Sequence, residues 1–198
     1  MERQLHHVPR MQAGTWAGVS LMSDAILREV NLAWPNAEHN LGRVQLAQIW
    51  VGPWHMTGAN LYAWSKGPTW PKALECTNAT LDFLTKELVL SRSGPRFVMG
   101  DFNHPEDASP SISIWKSHDW VEIQAWAERH QGRLPTPTSK HVNFLDRIYV
   151  SPEMIPYLRE VQTWDLFADH TTLAVSLEVP LQWSKLPGQC QATFPSTS

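Results

Sequence analysis

The stretch Arg96-Phe97-Val98-Met99-Gly100-Asp101-Phe102-Asn103-His104 decides how this chain is read. Its first four residues are a brief apolar run of the kind that fills a buried strand. Gly100 permits a sharp exit from that strand, and Asp101 then stands at its carboxyl end. Sites in layered α/β sheets gather at such ends. An acidic residue with an amide two positions on can bind an ion or hold a water for attack. Gly, Asp and Asn are also turn formers, so a plain turn is the competing reading.

Working outward, further strands are legible. Trp16 to Met22 is a short apolar run. Arg43 to Val51 alternates loosely and stops at Gly52-Pro53, and Trp54 to Ala63 follows closely enough to pair with it as a hairpin. Phe144 to Val150 is closed by Ser151-Pro152, and Thr171 to Val179 by Pro180. Pro71 sits where a first-turn proline belongs. Leu74, Leu81, Leu84 and Leu88 form one apolar stripe behind it, ended by Gly94-Pro95. Asp119 with Glu122 resembles a capping box and predicts a helix to about Arg129. The order β-β-β-α-β-α-β-β implies an α/β layered domain with a mixed sheet.

Two more strand ends carry chemistry. Asp146 lies inside the apolar run Phe144-Leu145-Asp146-Arg147-Ile148-Tyr149-Val150, where a carboxylate is costly unless paired. Arg147 cannot be its same-face partner, because strand neighbours point to opposite faces. A histidine elsewhere is a better candidate, and a strand that faces solvent on one side is the bland alternative. Asp169-His170 precedes the last strand and sets a hard-cation ligand beside an imidazole able to touch a phosphate oxygen. Such pairs are common in loops, but three acidic strand ends in one domain say more than any one alone.

Composition bounds the reading. A chain of 198 residues is the size of one large domain, or at most two small ones, and needs no disulfide or metal to hold a core. Tryptophan is over-represented, with 11 against 3 Tyr and 6 Phe, and its scatter from Trp16 to Trp183 favours core and strand positions over a stacking surface. A net charge of −3 argues against a domain that binds nucleic acid mainly by charge, but not against a nuclease working through metal ions. Cys76 and Cys190 match no zinc or redox spacing and suggest a reducing compartment. No apolar run approaches the ~18 residues of a membrane span, and Met1 to His7 lacks the apolar core of a signal peptide. An intracellular location, the nucleus included, is expected. The domain is expected over residues 1–185, with a loose tail over 186–198.

Gly100-Asp101-Phe102-Asn103, then Leu145-Asp146-Arg147-Ile148-Tyr149-Val150-Ser151, then Asp169-His170, resembles the endonuclease/exonuclease/phosphatase family, the DNase I-like group. In look it is nearest to retrotransposon and apurinic-type endonucleases. Gly18 to Ser23 is similar to the family's early strand, and Asn60-Leu61-Tyr62 to the strand that ends in a site tyrosine. The likeness runs from about residue 14 to residue 180.

The resemblance implies a four-layer sandwich of two mixed β-sheets flanked by helices, and phosphoester cleavage with Mg²⁺ or Mn²⁺. It implies that Asp101 orients or deprotonates the attacking water, and that Asn103 helps hold that water and the phosphate. It implies that His170 contacts a non-bridging oxygen with Asp146 fixing its orientation, that Tyr62 sits against the scissile phosphate, and that Asp169, with Asp101 and Asn103, serves the metal. DNA is the implied partner and no membrane is.

Departures from the pattern set further expectations. The family begins with an Asn-bearing strand and a second strand ending in a metal-binding Glu, both ahead of the segment matching Trp16 to Ser23. Here 15 residues precede that segment, and Glu2 is the sole acidic one among them. The domain is therefore expected to lack its N-terminal strands. Ser65 stands where the family has an Asn, and the span between the Gly-Asp-Phe-Asn motif and Asp146 is short. Alternatives are a phosphatase on a small phosphorylated or lipid substrate and a catalytically inactive remnant of the family.

Overall fold

Alternation between Arg43 and Ala63 produces a long hairpin, and the rest of the main sheet is laid beside it. The structure, a computed structural model, describes residues 6–7, 20–21, 26–29, 43–51, 54–65, 71–138, 143–164 and 171–178. In chain order the strands are β1 (His6–His7), β2 (Ser20–Leu21), β3 (Ile26–Glu29), β4 (Val44–Val51), β5 (Trp54–Tyr62), β6 (Arg96–Asp101), β7 (Val121–Glu122), β8 (Asp146–Val150), β9 (Leu158–Trp164) and β10 (Thr172–Leu177). The α-helices are α1 (Pro71–Leu84), α2 (Pro110–Ser117) and α3 (Ile123–Gln131).

The main sheet has the order β3-β4-β5-β6-β8-β7. Every neighbouring pair is antiparallel except β5 and β6. A parallel pair needs a long crossover, and α1 supplies it. Strands β9 and β10 form a separate antiparallel pair, as do β1 and β2.

Each face of the main sheet buries its own core. Val44, Leu46, Ala59, Leu61, Val98 and Tyr149 pack with Leu81, Leu84 and Leu88 of the first helical segment and with Ile112 and Trp115 of α2. On the other face, Ile49, Phe97, Ile148 and Val150 meet Leu158 and Val161 of β9, Leu173 and Val175 of β10, and Ile123 and Trp126 of α3. The result is helices on sheet on sheet, an α/β sandwich of the expected DNase I-like kind. Trp115 anchors the helical side: its Nε1 donates to Thr85 Oγ1 at 2.7 Å, and its ring packs edge-on to Phe102 and Tyr149. Such aromatic pairs contribute about 0.5–1.5 kcal/mol each beyond burial. Trp54, Trp115, Trp120 and Trp126 are all buried, in line with the core reading of tryptophan.

Local details depart from expectation. The helix opened by Pro71 winds as π-helix over Thr85–Leu90. Its free carbonyls are met by Arg96, whose Nη1 donates to Leu88 at 2.6 Å and to Val89 at 3.3 Å. Asp119 does not cap α3. It takes a left-handed φ of 59° in the preceding turn, and Glu122 is itself the cap, accepting from the Ala125 N–H at 2.8 Å. Of the Trp16–Met22 run, only Ser20–Leu21 lies within the described residues; Asp169, His170 and the tail over 186–198 lie outside them. No helix among the described residues is long and apolar enough to cross a membrane.

Candidate active site

Register brings the candidate residues into a row. The parallel pairing of β5 with β6 sets Tyr62 opposite Asp101, and the antiparallel pairing of β6 with β8 sets Asp101 opposite Asp146. Residues directly opposite share a face, with Cβ atoms about 4.5–5.5 Å apart. Tyr62, Asp101 and Asp146 thus line up across three adjacent strand ends. By alternation this is the face of Met99 and Ile148, which packs toward the second sheet. A cleft of about 300 Å³ opens there, lined by Asn60, Asp146, Thr171 and Thr172 among others.

The turn after β6 clamps the first carboxylate. Gly100 has a φ of 138°, and a Cβ there would collide with the Leu61 carbonyl of the neighbouring strand. Asn103 takes a φ of 53°, a region asparagine tolerates better than most residues. From that position its backbone N–H donates to Asp101 Oδ1 at 3.0 Å and its Nδ2 to Asp101 Oδ2 at 2.9 Å. The same Nδ2 donates to the Ala63 carbonyl at 3.1 Å. The turn reading and the site reading of Gly-Asp-Phe-Asn therefore describe one object: the turn is the device that orients the carboxylate. The next residue, His104, is fully buried, with Nδ1 2.9 Å from the Pro105 carbonyl. Burial pushes its pKa down, and Arg147 adds to the effect.

Asp146 is held through Thr138, which the motif reading did not identify. The Asp146 N–H donates to Thr138 Oγ1 at 2.8 Å, and that hydroxyl donates to the Asp146 carbonyl at 3.3 Å. The buried Thr138 also accepts from the Thr171 N–H at 2.9 Å and donates its own N–H to Asn143 at 2.8 Å. One threonine thus joins the start of β8 to the residue that follows His170 in the chain. Arg147 points to the opposite face, as alternation requires, and its Nε donates to the Phe144 carbonyl at 2.9 Å.

A second unforeseen group is Arg43, just before β4. Its Nη1 donates to the carbonyls of Tyr62 at 3.3 Å and Ala63 at 3.2 Å. Its guanidinium lies 3.8 Å from the centre of the Trp64 ring and 5.3 Å from that of Tyr62. Burial lowers its pKa, opposed by Tyr62 and Cys76. The Ala63 carbonyl thereby receives both Arg43 and Asn103, which couples the tyrosine segment to the Asp101 turn. Nothing in the spacing of the sequence marked Arg43.

Among the described residues no group of three or more His, Cys, Asp and Glu side chains is placed to hold a metal. Asp101 and Asn103 carry hard oxygen donors, the type preferred by Mg²⁺ and Mn²⁺.

No protein-family model matches the sequence. No curated protein matches it either. Solved structures do. A 3′ phosphatase, NExo, from Neisseria, bound to a product DNA hairpin, superposes with a TM-score of 0.61 at 18% identity, over 88% of this chain and 80% of that one. An AP endonuclease from Archaeoglobus fulgidus gives 0.61 at 13% identity over 88% and 80%. The endonuclease domain of TRAS1, a telomere-specific non-LTR retrotransposon, gives 0.58 at 12% over 87% and 78%. The chain has the fold that these structures share, the DNase I-like fold.

Proposed function

We propose that the chain is a metal-dependent phosphodiester hydrolase acting on DNA, with endonuclease activity. The observation that carries this reading is the Tyr62–Asp101–Asp146 row, with Asp101 clamped at both oxygens by Asn103. Each carboxylate oxygen has two acceptor sites. Asn103 donates to one on each, which fixes the plane of the carboxylate. Held at both oxygens, the Asp101 carboxylate is suited to orienting the attacking water. Asn103 spends both amide hydrogens on Asp101 and Ala63. Its remaining offer is the acceptor Oδ1, which serves a water or a cation rather than a phosphate oxygen. Tyr62 supports the scissile phosphate, and Asp146 orients His170 toward a non-bridging oxygen. Asp101, Asn103 and Asp169 would hold Mg²⁺ or Mn²⁺, and oxygen donors of this type suit either ion. When bound, such an ion neutralises charge developing on the phosphate.

The test is nicking of supercoiled plasmid by the full chain with Mg²⁺ or Mn²⁺, stopped by a chelator. Asp101→Ala is expected to lower the rate by about 10²–10⁴-fold, the range for a positioned acid–base group, and Asn103→Ala by less. Nicking that survives Asp101→Ala, or no nicking with either ion, refutes the assignment. Phosphate release from a 3′-phosphorylated oligonucleotide or a soluble phosphoinositide, without nicking, would instead support a phosphatase.

A further inference from the structure

A cavity of about 750 Å³ opens on the face of β8 that carries Arg147, away from the Asp146 face. Arg147 lines it and is only 7% exposed. Its Nε is committed to the Phe144 carbonyl, but its Nη1 is buried with no hydrogen-bond partner. A guanidinium does not lose its charge in a protein, so a buried N–H left unmet is costly unless an acceptor arrives.

Of the carboxylates that line the cavity, Glu106 and Glu122 are each engaged in part by other groups. Glu106 accepts from the Tyr149 hydroxyl at 2.6 Å and pairs with Lys116 at 2.9 Å. Glu122 spends Oε2 on the N-terminus of α3, and its Oε1 is buried without a partner. Burial pushes the Glu122 carboxyl up, against the opposing N–H groups of Ala125 and Gln124 and the charge of Arg147. The rest of the lining is mixed: Asp119, Gln124 and Arg129 are polar, while Trp120, Ile155 and the ring of Phe144, which is 39% exposed, form an apolar side. A concave site of this volume that sets an apolar side beside polar anchors suits a small molecule.

We propose that this cavity binds a small organic anion, with its oxyanion head on Arg147 and its apolar body against Trp120 and Phe144. The site is independent of the phosphodiester reading.

Calorimetric titration of the full chain with benzoate, acetate and inorganic phosphate tests it. Benzoate is expected to saturate and to bind at least tenfold more tightly than acetate or phosphate. Arg147→Met should weaken benzoate at least tenfold. Ala125→Phe, which fills the cavity from α3 and leaves Arg147 in place, should do the same while keeping the circular dichroism spectrum of a folded chain. The proposal is overturned if wild type shows no saturable benzoate binding at millimolar concentration, or if a folded variant of either kind binds as wild type does. Equal affinity for benzoate and phosphate would overturn the apolar half of the assignment.

Discussion

Thr138→Val tests whether one buried hydroxyl holds Asp146 in place. Valine is close to threonine in shape and puts a methyl group where the hydroxyl was. The Asp146 N–H then loses its 2.8 Å acceptor, and the weaker 3.3 Å bond to the Asp146 carbonyl goes with it. Leaving such a donor unmet costs about 1–3 kcal/mol, so a loss of about 2 kcal/mol is expected. Thr138→Ser is the control: it keeps the hydroxyl and removes a methyl, costing about 1 kcal/mol with the residual cavity included. The backbone bonds of Thr138 to Thr171 and Asn143 survive in both. Urea unfolding separates them. With a slope near 2 kcal/mol per molar, the midpoint should fall by about 1 M for Val and about 0.5 M for Ser. A valine variant as stable as the serine variant, or more so, would refute the role given to the hydroxyl. A serine variant that nicks plasmid normally beside a valine variant that does not would tie the same bond to the proposed activity.

Three further outcomes are expected. Gly100→Ala should cost about 3 kcal/mol or more, from its positive φ and the collision with the Leu61 carbonyl, and thermal unfolding should fall by about 6–12 °C. Arg96→Lys should cost about 2–3 kcal/mol, because an ammonium cannot match the fork that reaches Leu88, Val89 and Gly94 while holding both oxygens of Glu153; a midpoint unchanged in urea would contradict the capping role. His104 has a folded pKa below its ordinary value of about 6.5, so the unfolded chain takes the proton first as pH falls. Stability is therefore full above pH ~6.5 and is lost below it. The advantage of wild type over His104→Asn in urea should shrink as pH falls from 7.5 to 5, and a gap that stays flat would sink this account.

What could be read in the sequence depended on how local its cause was. The β4–β5 hairpin, the start of α1, β6, β8 and β10 carry their own periodicity and punctuation. The Asp101–Asn103 clamp spans two residues, so its turn chemistry is written in the motif itself. Strand β9 was missed because Leu-Arg-Glu-Val-Gln-Thr-Trp buries only Leu158 and Val161 fully, and its strand state depends on pairing with β10. Helix α2 is eight residues long, too short for a stripe, and is held by burying Ile112 and Trp115. The Asp119–Glu122 pair suggested the right helix with the wrong cap, since the turn before β7 takes Asp119 out of reach. Thr138 and Arg43 act across 8 and about 20 residues of chain, a separation that only the fold closes.

The placement of Asp101 against Asp146 is itself an argument. Like charges directly opposite on neighbouring strands destabilise a sheet. The structure around them fixes the pair. Gly100 and Asn103 take left-handed backbone to aim one carboxylate, and Thr138 anchors the strand end that carries the other. Natural sequences break such local rules chiefly at functional sites. A pair of carboxylates oriented so firmly, at the open end of a sheet-on-sheet cleft, is suited to a positive ligand and a polar reaction, and the same row would have little use in a fold kept for packing alone.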